Sequence, residues 1–182
     1  QAGLIRHFST VANHVDLPCI LYNVPSRTGC NIKPETYLAL SKHPNIVATK
    51  EANGDISAAA VTASLCGDNL TLYSGNDDQV VPMLSLGGRG VISVFSNLFP
   101  KTMHDIVALW FENKVAESRG LFLEWLDLMN AFFMDVNPIP IKEAVNLMGM
   151  QAGPCRLPLV EMDDASRAKL KGILEKHIVL PH

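Results

Sequence analysis

The sequence predicts an α/β fold built on a parallel sheet, and three observations carry that expectation. Four short apolar runs begin near residues 19, 46, 70 and 90. A helical pattern follows each run, and alternation at this interval favours right-handed βαβ units. Each run also ends in polar residues: Tyr22 and Asn23, Lys50 and Glu51, Gly75 and Asn76, and Ser93. Ligand sites gather at the C-terminal ends of parallel strands in closed α/β barrels and in open doubly wound sheets. The strand-end pattern is compatible with both.

The elements can be justified in order. Leu4, Ile5, Phe8, Val11, Ala12 and Val15 form the apolar face of a first helix, which Asp16-Leu17-Pro18 stops. Cys19–Val24 reads as a strand, and Pro25–Gly29 as the loop after it. Pro34 suits the first turn of a short helix over Glu35–Lys42. Pro44-Asn45 leads into a buried strand, Ile46–Ala48, that ends in Thr49, Lys50 and Glu51. Ile56–Cys66 is an Ala-rich helix closed by Gly67. Leu70–Tyr73 is a third strand, after which Asn76 or Asp77 can cap a helix running to Leu86. Gly90–Val94 is a fourth strand.

The piece Gly87-Gly88-Arg89-Gly90 closes a helix and precedes a strand. A phosphate loop does the reverse, so a helix cap with a tight turn is the better reading. From Pro100 the pattern is helical. Met103–Phe111 completes the last βα unit, and Val115–Phe133 is a long helix expected to be heavily buried. After Asn137-Pro138-Ile139-Pro140, helices follow over Ile141–Met148 and from Asp163 or Asp164 through His177. The Met and aromatic stripe of Trp125, Leu126, Met129, Phe132 and Phe133 reads as core or subunit contact. The expected organisation is a barrel portion over 1–114 and a helical domain over 115–182.

The 182 residues carry a net charge of −3, are 48% hydrophobic, and contain no apolar run of spanning length. This gives no reason to expect nucleic acid or membrane as a partner. Cys19, Cys30, Cys66 and Cys155 lack CxxC spacing. His7, His14, His43, His104, His177 and His182 do not cluster, so neither a metal site nor a disulfide framework is expected. A reduced, cytoplasmic enzyme fits best. The chain starts with Gln1 inside a helical pattern, which suggests a fragment or processed product.

Lys50 is the candidate around which the rest is arranged. At the polar end of a buried strand, partial desolvation disfavours an ammonium and frees an amine able to attack a carbonyl. The alternative is a lysine snorkelling to solvent. Tyr22 suits a proton relay if it lies beside Lys50 in the sheet, and equally suits a buried tyrosine with a satisfied hydroxyl. Arg27, in the loop after the same strand, has the planar fork for a carboxylate.

Tyr22-Asn23-Val24-Pro25-Ser26-Arg27-Thr28-Gly29, Thr49-Lys50-Glu51-Ala52, Ser74-Gly75-Asn76-Asp77, Gly90-Val91-Ile92-Ser93-Val94 and Asn137-Pro138-Ile139-Pro140 occur in one order. Together they resemble the dihydrodipicolinate synthase (4-hydroxy-tetrahydrodipicolinate synthase) family of pyruvate-dependent class I aldolases. The resemblance covers essentially the whole chain. It implies the C-terminal half of a TIM (β/α)8 barrel, strands 5–8, followed by a C-terminal helical domain. It also implies condensation of pyruvate with aspartate semialdehyde in lysine biosynthesis, usually by a homotetramer. Lys50 would form the Schiff base, Tyr22 would be the catalytic tyrosine, and Arg27 would bind the aldehyde's carboxylate. Gly75 and Ile92 match positions that line the pyruvate site with backbone groups, and Asn76 stands where some members have an aspartate. No metal or organic cofactor is implied, because pyruvate itself is the group that the lysine activates.

The departure from the family is an absence. Four strands would precede this chain, with a threonine pair that contacts pyruvate, a second tyrosine, and most of the site for inhibitory lysine. Four strands cannot close a barrel. The isolated chain is therefore expected to be weakly active or inactive and to self-associate over its open edge. Alternatives are an N-acetylneuraminate lyase or sugar-acid aldolase of the same superfamily, which Arg27 argues against, a non-catalytic assembly piece, and an unrelated α/β binding protein.

Overall fold

A computed structural model describes residues 1–178 and 180; of the six scattered histidines, His182 lies outside the described residues. Packing divides the chain into two compact units, Gln1–Ile92 and Ser93–His182. The boundary expected after residue 114 therefore falls inside the second unit. The cause is local: the Ser118 hydroxyl, on the helix Val115–Glu124, donates to the Ile106 carbonyl at 2.7 Å, tying that helix to Pro100–Phe111.

The first unit contains a four-stranded sheet of β1 (Cys19–Asn23), β2 (Ile46–Glu51), β3 (Thr71–Ser74) and β4 (Gly90–Val91). The order is β1-β2-β3-β4 and every pairing is parallel. Helices α1 (Ala2–Asn13), α2 (Pro25–Thr28), α3 (Pro34–Leu40), α4 (Ile56–Cys66) and α5 (Val80–Ser85) alternate with the strands. The expected alternation is thus present, with α2 as an extra single turn inside the loop that carries Arg27. Pro34 stands in the first turn of α3, where its missing N–H costs nothing. Asp55 caps α4 by accepting the Ala58 N–H at 2.9 Å.

One face of the sheet packs on the helices. Leu21 and Ile46 join Ala12, Tyr37, Leu40, Cys66 and Leu70 in one buried cluster, and Leu72 joins Ala59 and Met83 in another. Ile46, Thr49 and Glu51 all meet the neighbourhood of Tyr37, although a regular strand would alternate them to opposite faces. The pairing register shifts here: Cys19 opposes Ile46 but Ile20 opposes Ala48, leaving Val47 as an extra residue. This irregularity turns the strand over, so that Lys50 faces away from the helices while Glu51 faces them.

β4 is shorter than the strand expected over Gly90–Val94. The Ile92 N–H still donates to the Ser74 carbonyl at 2.9 Å, and a 3-10 turn follows at Phe95–Asn97, where Ser93 Oγ accepts the Ser96 N–H. Gly87-Gly88-Arg89 is a helix cap and turn, as expected. The Gly88 N–H donates to the Met83 carbonyl at 2.9 Å, and a Cβ on Gly88 would stand 2.7 Å from that oxygen.

In the second unit, α6 (Pro100–Phe111), α7 (Val115–Glu124), α8 (Leu126–Ala131), α9 (Ile139–Leu147) and α10 (Asp164–Leu174) pack around Phe95, Met103, Ile106, Leu128, Met129, Phe132 and Leu170. The long helix expected over Val115–Phe133 is two helices. Trp125 leaves helical geometry between them, with φ −100° and ψ 4°, and its ring contacts those of Phe95, Phe99 and His177. Of the aromatic stripe, Met129 and Phe132 are buried, Trp125 and Leu126 half-buried, and Phe133 exposed. Asp163 caps α10 by accepting from Ala165 and Ser166 N–H.

Candidate active site

The sheet register places two of the expected site residues, Tyr22 and Lys50, on one row. Tyr22 opposes Lys50, Lys50 opposes Tyr73, and Tyr73 opposes Gly90. Side chains of laterally paired residues in adjacent strands emerge on the same face. Tyr22 and Lys50 therefore come together, and Lys50 Nζ lies 4.1 Å from the centroid of the Tyr22 ring. Tyr22 is exposed and Lys50 half-buried. An amine and a phenol share the polar end of the sheet, on the face turned away from the helices.

The next row along the strands faces the other way and is buried. Asn23 opposes Glu51, which opposes Ser74. Glu51 accepts from Asn23 Nδ2 at 2.9 and 3.1 Å, from the Tyr37 hydroxyl at 2.8 Å, and from the Asn53 N–H at 2.9 Å. Thr49 Oγ1 completes the chain by donating to the Tyr37 oxygen at 3.2 Å. Burial pushes the Glu51 carboxyl above its ordinary range, against the pull of these donors. The Tyr37 phenol is held well above its usual value, first by burial and then by the charge of Glu51. A single residue step thus separates the face that carries Lys50 and Tyr22 from a buried polar network behind it.

Arg27 sits in α2, the single turn directly after β1, and is exposed. Gly75 follows β3, and its N–H donates to the Glu51 carbonyl at 2.7 Å. A Cβ there would stand 2.6 Å from the Ala52 Cβ and 3.0 Å from the Glu51 oxygen. The need for glycine at 75 comes from this close approach to the lysine strand. Ile92 is exposed, and its N–H is taken by Ser74. Asn76 donates through Nδ2 to Gln79.

Sequence reasoning alone missed Tyr37, Thr49 and also Asn31, whose Oδ1 accepts from Asn23 Nδ2 at 2.8 Å, as parts of this arrangement. A usable signal existed: Tyr37 lies three residues before Leu40 on the apolar face of α3, and a buried tyrosine needs a partner for its hydroxyl. Among the described residues, no group of three or more His, Cys, Asp or Glu could hold a metal ion. No helix among them is long and apolar enough to cross a membrane.

This arrangement has known relatives. The Dihydrodipicolinate synthetase family matches residues 1–177. The chain belongs to this family. It is 50% identical over 181 residues to the 4-hydroxy-tetrahydrodipicolinate synthase of Thermoanaerobacter sp. (strain X514), covering 99% of this chain and 61% of that protein. It is 52% identical over 166 residues to the namesake enzyme of Clostridium perfringens (strain SM101 / Type A), covering 91% of this chain and 57% of that protein. The crystal structure of dihydrodipicolinate synthase from Thermotoga maritima superposes with a TM-score of 0.93 at 39% identity, covering 96% of this chain and 61% of that one. The chain thus spans about three-fifths of the length of these family members.

Proposed function

We propose that this chain carries the imine-forming centre of a dihydrodipicolinate synthase, a lyase-type enzyme that condenses pyruvate with aspartate semialdehyde toward lysine. The observation that carries the reading is Lys50 Nζ over the Tyr22 ring at the C-terminal ends of parallel strands. In this reading β1–β4 are the last four strands of an eight-stranded barrel. The placement is supported by the helices from Pro100 to Leu174, with no further strand among the described residues. Four strands do not close a barrel, so in this reading the chain alone would be weak or inactive in the full reaction and would self-associate over its open edge.

The chemistry follows from the residue types. The neutral Lys50 amine adds to the carbonyl carbon of pyruvate, and loss of water leaves an iminium. This cation is an electron sink, so a methyl proton can leave and an enamine forms. The enamine carbon then attacks the aldehyde carbon of the second substrate, whose oxygen takes up a proton. The Tyr22 hydroxyl, on the same face as the amine, is the group in place to carry those protons. Arg27 offers parallel N–H donors to the carboxylate of the aldehyde substrate. Release of Lys50 requires a nucleophile at the iminium carbon, which that substrate's amino group can supply. Gly75 and Ile92 would border the pyruvate end through their backbone. No metal or organic cofactor enters this scheme. A cytoplasmic setting is part of the proposal, supported by the absence of any disulfide among Cys19, Cys30, Cys66 and Cys155.

Proton NMR of pyruvate in heavy water tests the early steps. The chain is expected to catalyse deuterium incorporation into the methyl group, and Lys50→Met to abolish it. Incorporation that survives Lys50→Met would overturn the reading.

A further inference from the structure

One side chain behind the reactive face joins three pieces of chain. Asn23 follows Tyr22 in β1, points to the buried side, and is 1% exposed. Its Nδ2 donates to both Glu51 oxygens on β2 and to Asn31 Oδ1 at 2.8 Å. Its Oδ1 accepts the Ile32 N–H at 3.1 Å. Its own backbone carbonyl accepts the Ala52 N–H at 2.9 Å. Both amide hydrogens and the amide oxygen are thus engaged.

The geometry closes a loop. Residues 24–30, which carry Arg27, leave β1 at Asn23 and return to it at Asn31 and Ile32. Within this segment the Thr28 hydroxyl bonds the Val24 and Cys30 carbonyls, at 3.2 and 3.0 Å, so it is internally tied. Asn23 then fastens that tied segment to the residue next to Lys50. Only a carboxamide meets the requirement here. An aspartate would set a second negative charge against Glu51, and a hydroxyl residue could not donate to Glu51 and Asn31 together while accepting from Ile32.

We propose that Asn23 is a positioning residue: it sets the Arg27 turn against the Lys50 strand, and thereby the site for the carboxylate of the aldehyde substrate. The substrate clause rests on the function proposed for Arg27. Asn23 acts through other groups and touches no reacting atom in this account.

The test compares wild type, Asn31→Ala, Asn31→Asp and Asn23→Ala by hydrogen–deuterium exchange. Asn31 is exposed, so its replacement leaves the core intact. N31A removes the acceptor, and N31D keeps an oxygen in its place. N31A is expected to speed exchange over residues 24–30 about fivefold, the loss of one net hydrogen bond, with 46–51 unchanged. N31D keeps the acceptor but adds a negative charge near Glu51, so it is expected to exchange over 24–30 more slowly than N31A and faster than wild type. In parallel, pyruvate is trapped on Lys50 with borohydride, and aspartate semialdehyde is titrated onto the reduced adduct with binding, which needs no turnover, followed by calorimetry. The half-saturating concentration is expected to rise about fivefold in N31A, with trapping of pyruvate unchanged.

Unaltered exchange over 24–30 in both N31A and N23A would overturn the joint. Acceleration in N23A spread evenly over all strands, with N31A silent, would reduce Asn23 to general stability and also overturn it. Failure of wild type to trap pyruvate would instead overturn the proposed function and with it the substrate clause, while the exchange data alone still decide the joint.

Discussion

Lys50 Nζ lies 4.1 Å from the centroid of the Tyr22 ring, and the two residues are direct partners in the β1–β2 register. The ring therefore does two jobs. Its face packs beneath the Lys50 side-chain nitrogen and holds it in place, and its hydroxyl is carried to the same face as the amine. The strands fix this pairing, so no loop movement is needed to assemble it.

Tyr22→Phe separates the two jobs. The phenylalanine keeps the ring and loses the proton relay, so pyruvate methyl exchange is expected to fall by roughly a hundredfold. Thermal stability should hardly change, since Tyr22 is exposed. Equal exchange in Y22F and wild type would remove Tyr22 from proton transfer.

Two glycines offer a matched pair. Gly75→Ala and Gly88→Ala each place a Cβ closer than 3.0 Å to a neighbour, the Ala52 Cβ and the Met83 oxygen respectively. Each is expected to cost about 1–3 kcal/mol in chemical denaturation. Only Gly75 abuts the residues after Lys50, so only G75A should also reduce pyruvate trapping on the folded protein. Equal trapping in the two variants would show that the contact at 75 does not reach the lysine.

The buried network predicts a pH dependence. Burial raises the Glu51 carboxyl above its ordinary value of 4.5 in the folded chain, so the fold binds that proton more tightly than the unfolded chain does. The contribution of this site to stability is therefore full below the unfolded value and is lost as pH climbs through the folded one. Glu51→Gln has no such titration, so its unfolding midpoint should fall less than that of wild type as pH rises above 4.5. Parallel curves would contradict this.

Tyr37 gives the alkaline counterpart. Its phenol is held above its ordinary value of 10.0, so above that pH the unfolded chain ionises first and folding weakens. Tyr37→Phe should remove that alkaline loss, while costing about 1–3 kcal/mol at neutral pH for the donor it takes from Glu51. A variant as sensitive to alkali as wild type would contradict the assignment.

The strand–helix alternation was legible because its signals are local: apolar runs, Pro34 at a first turn, Gly67 and Gly87 after helices. The strand-end positions of Lys50 and Tyr22 were legible for the same reason, each run ending in polar residues. The buried network behind them was not. The extra residue at Val47 turns β2 over, and no periodicity in Ile46–Glu51 announces it, so the burial of Glu51 cannot be read from alternation alone. The break at Trp125 leaves no mark in the sequence, because the helical apolar pattern continues through it; there the Trp125 ring contacts those of Phe95, Phe99 and His177. The unit boundary escaped for a related reason, since the Ser118 contact with Ile106 joins residues twelve apart.

The most direct test of the central claim is borohydride reduction in the presence of pyruvate, followed by peptide mass spectrometry. A reduced pyruvate adduct on Lys50, absent when borohydride or pyruvate is omitted, is the predicted result. A folded sample that shows no adduct, or carries it on another lysine, would contradict the assignment of Lys50 as the imine-forming group.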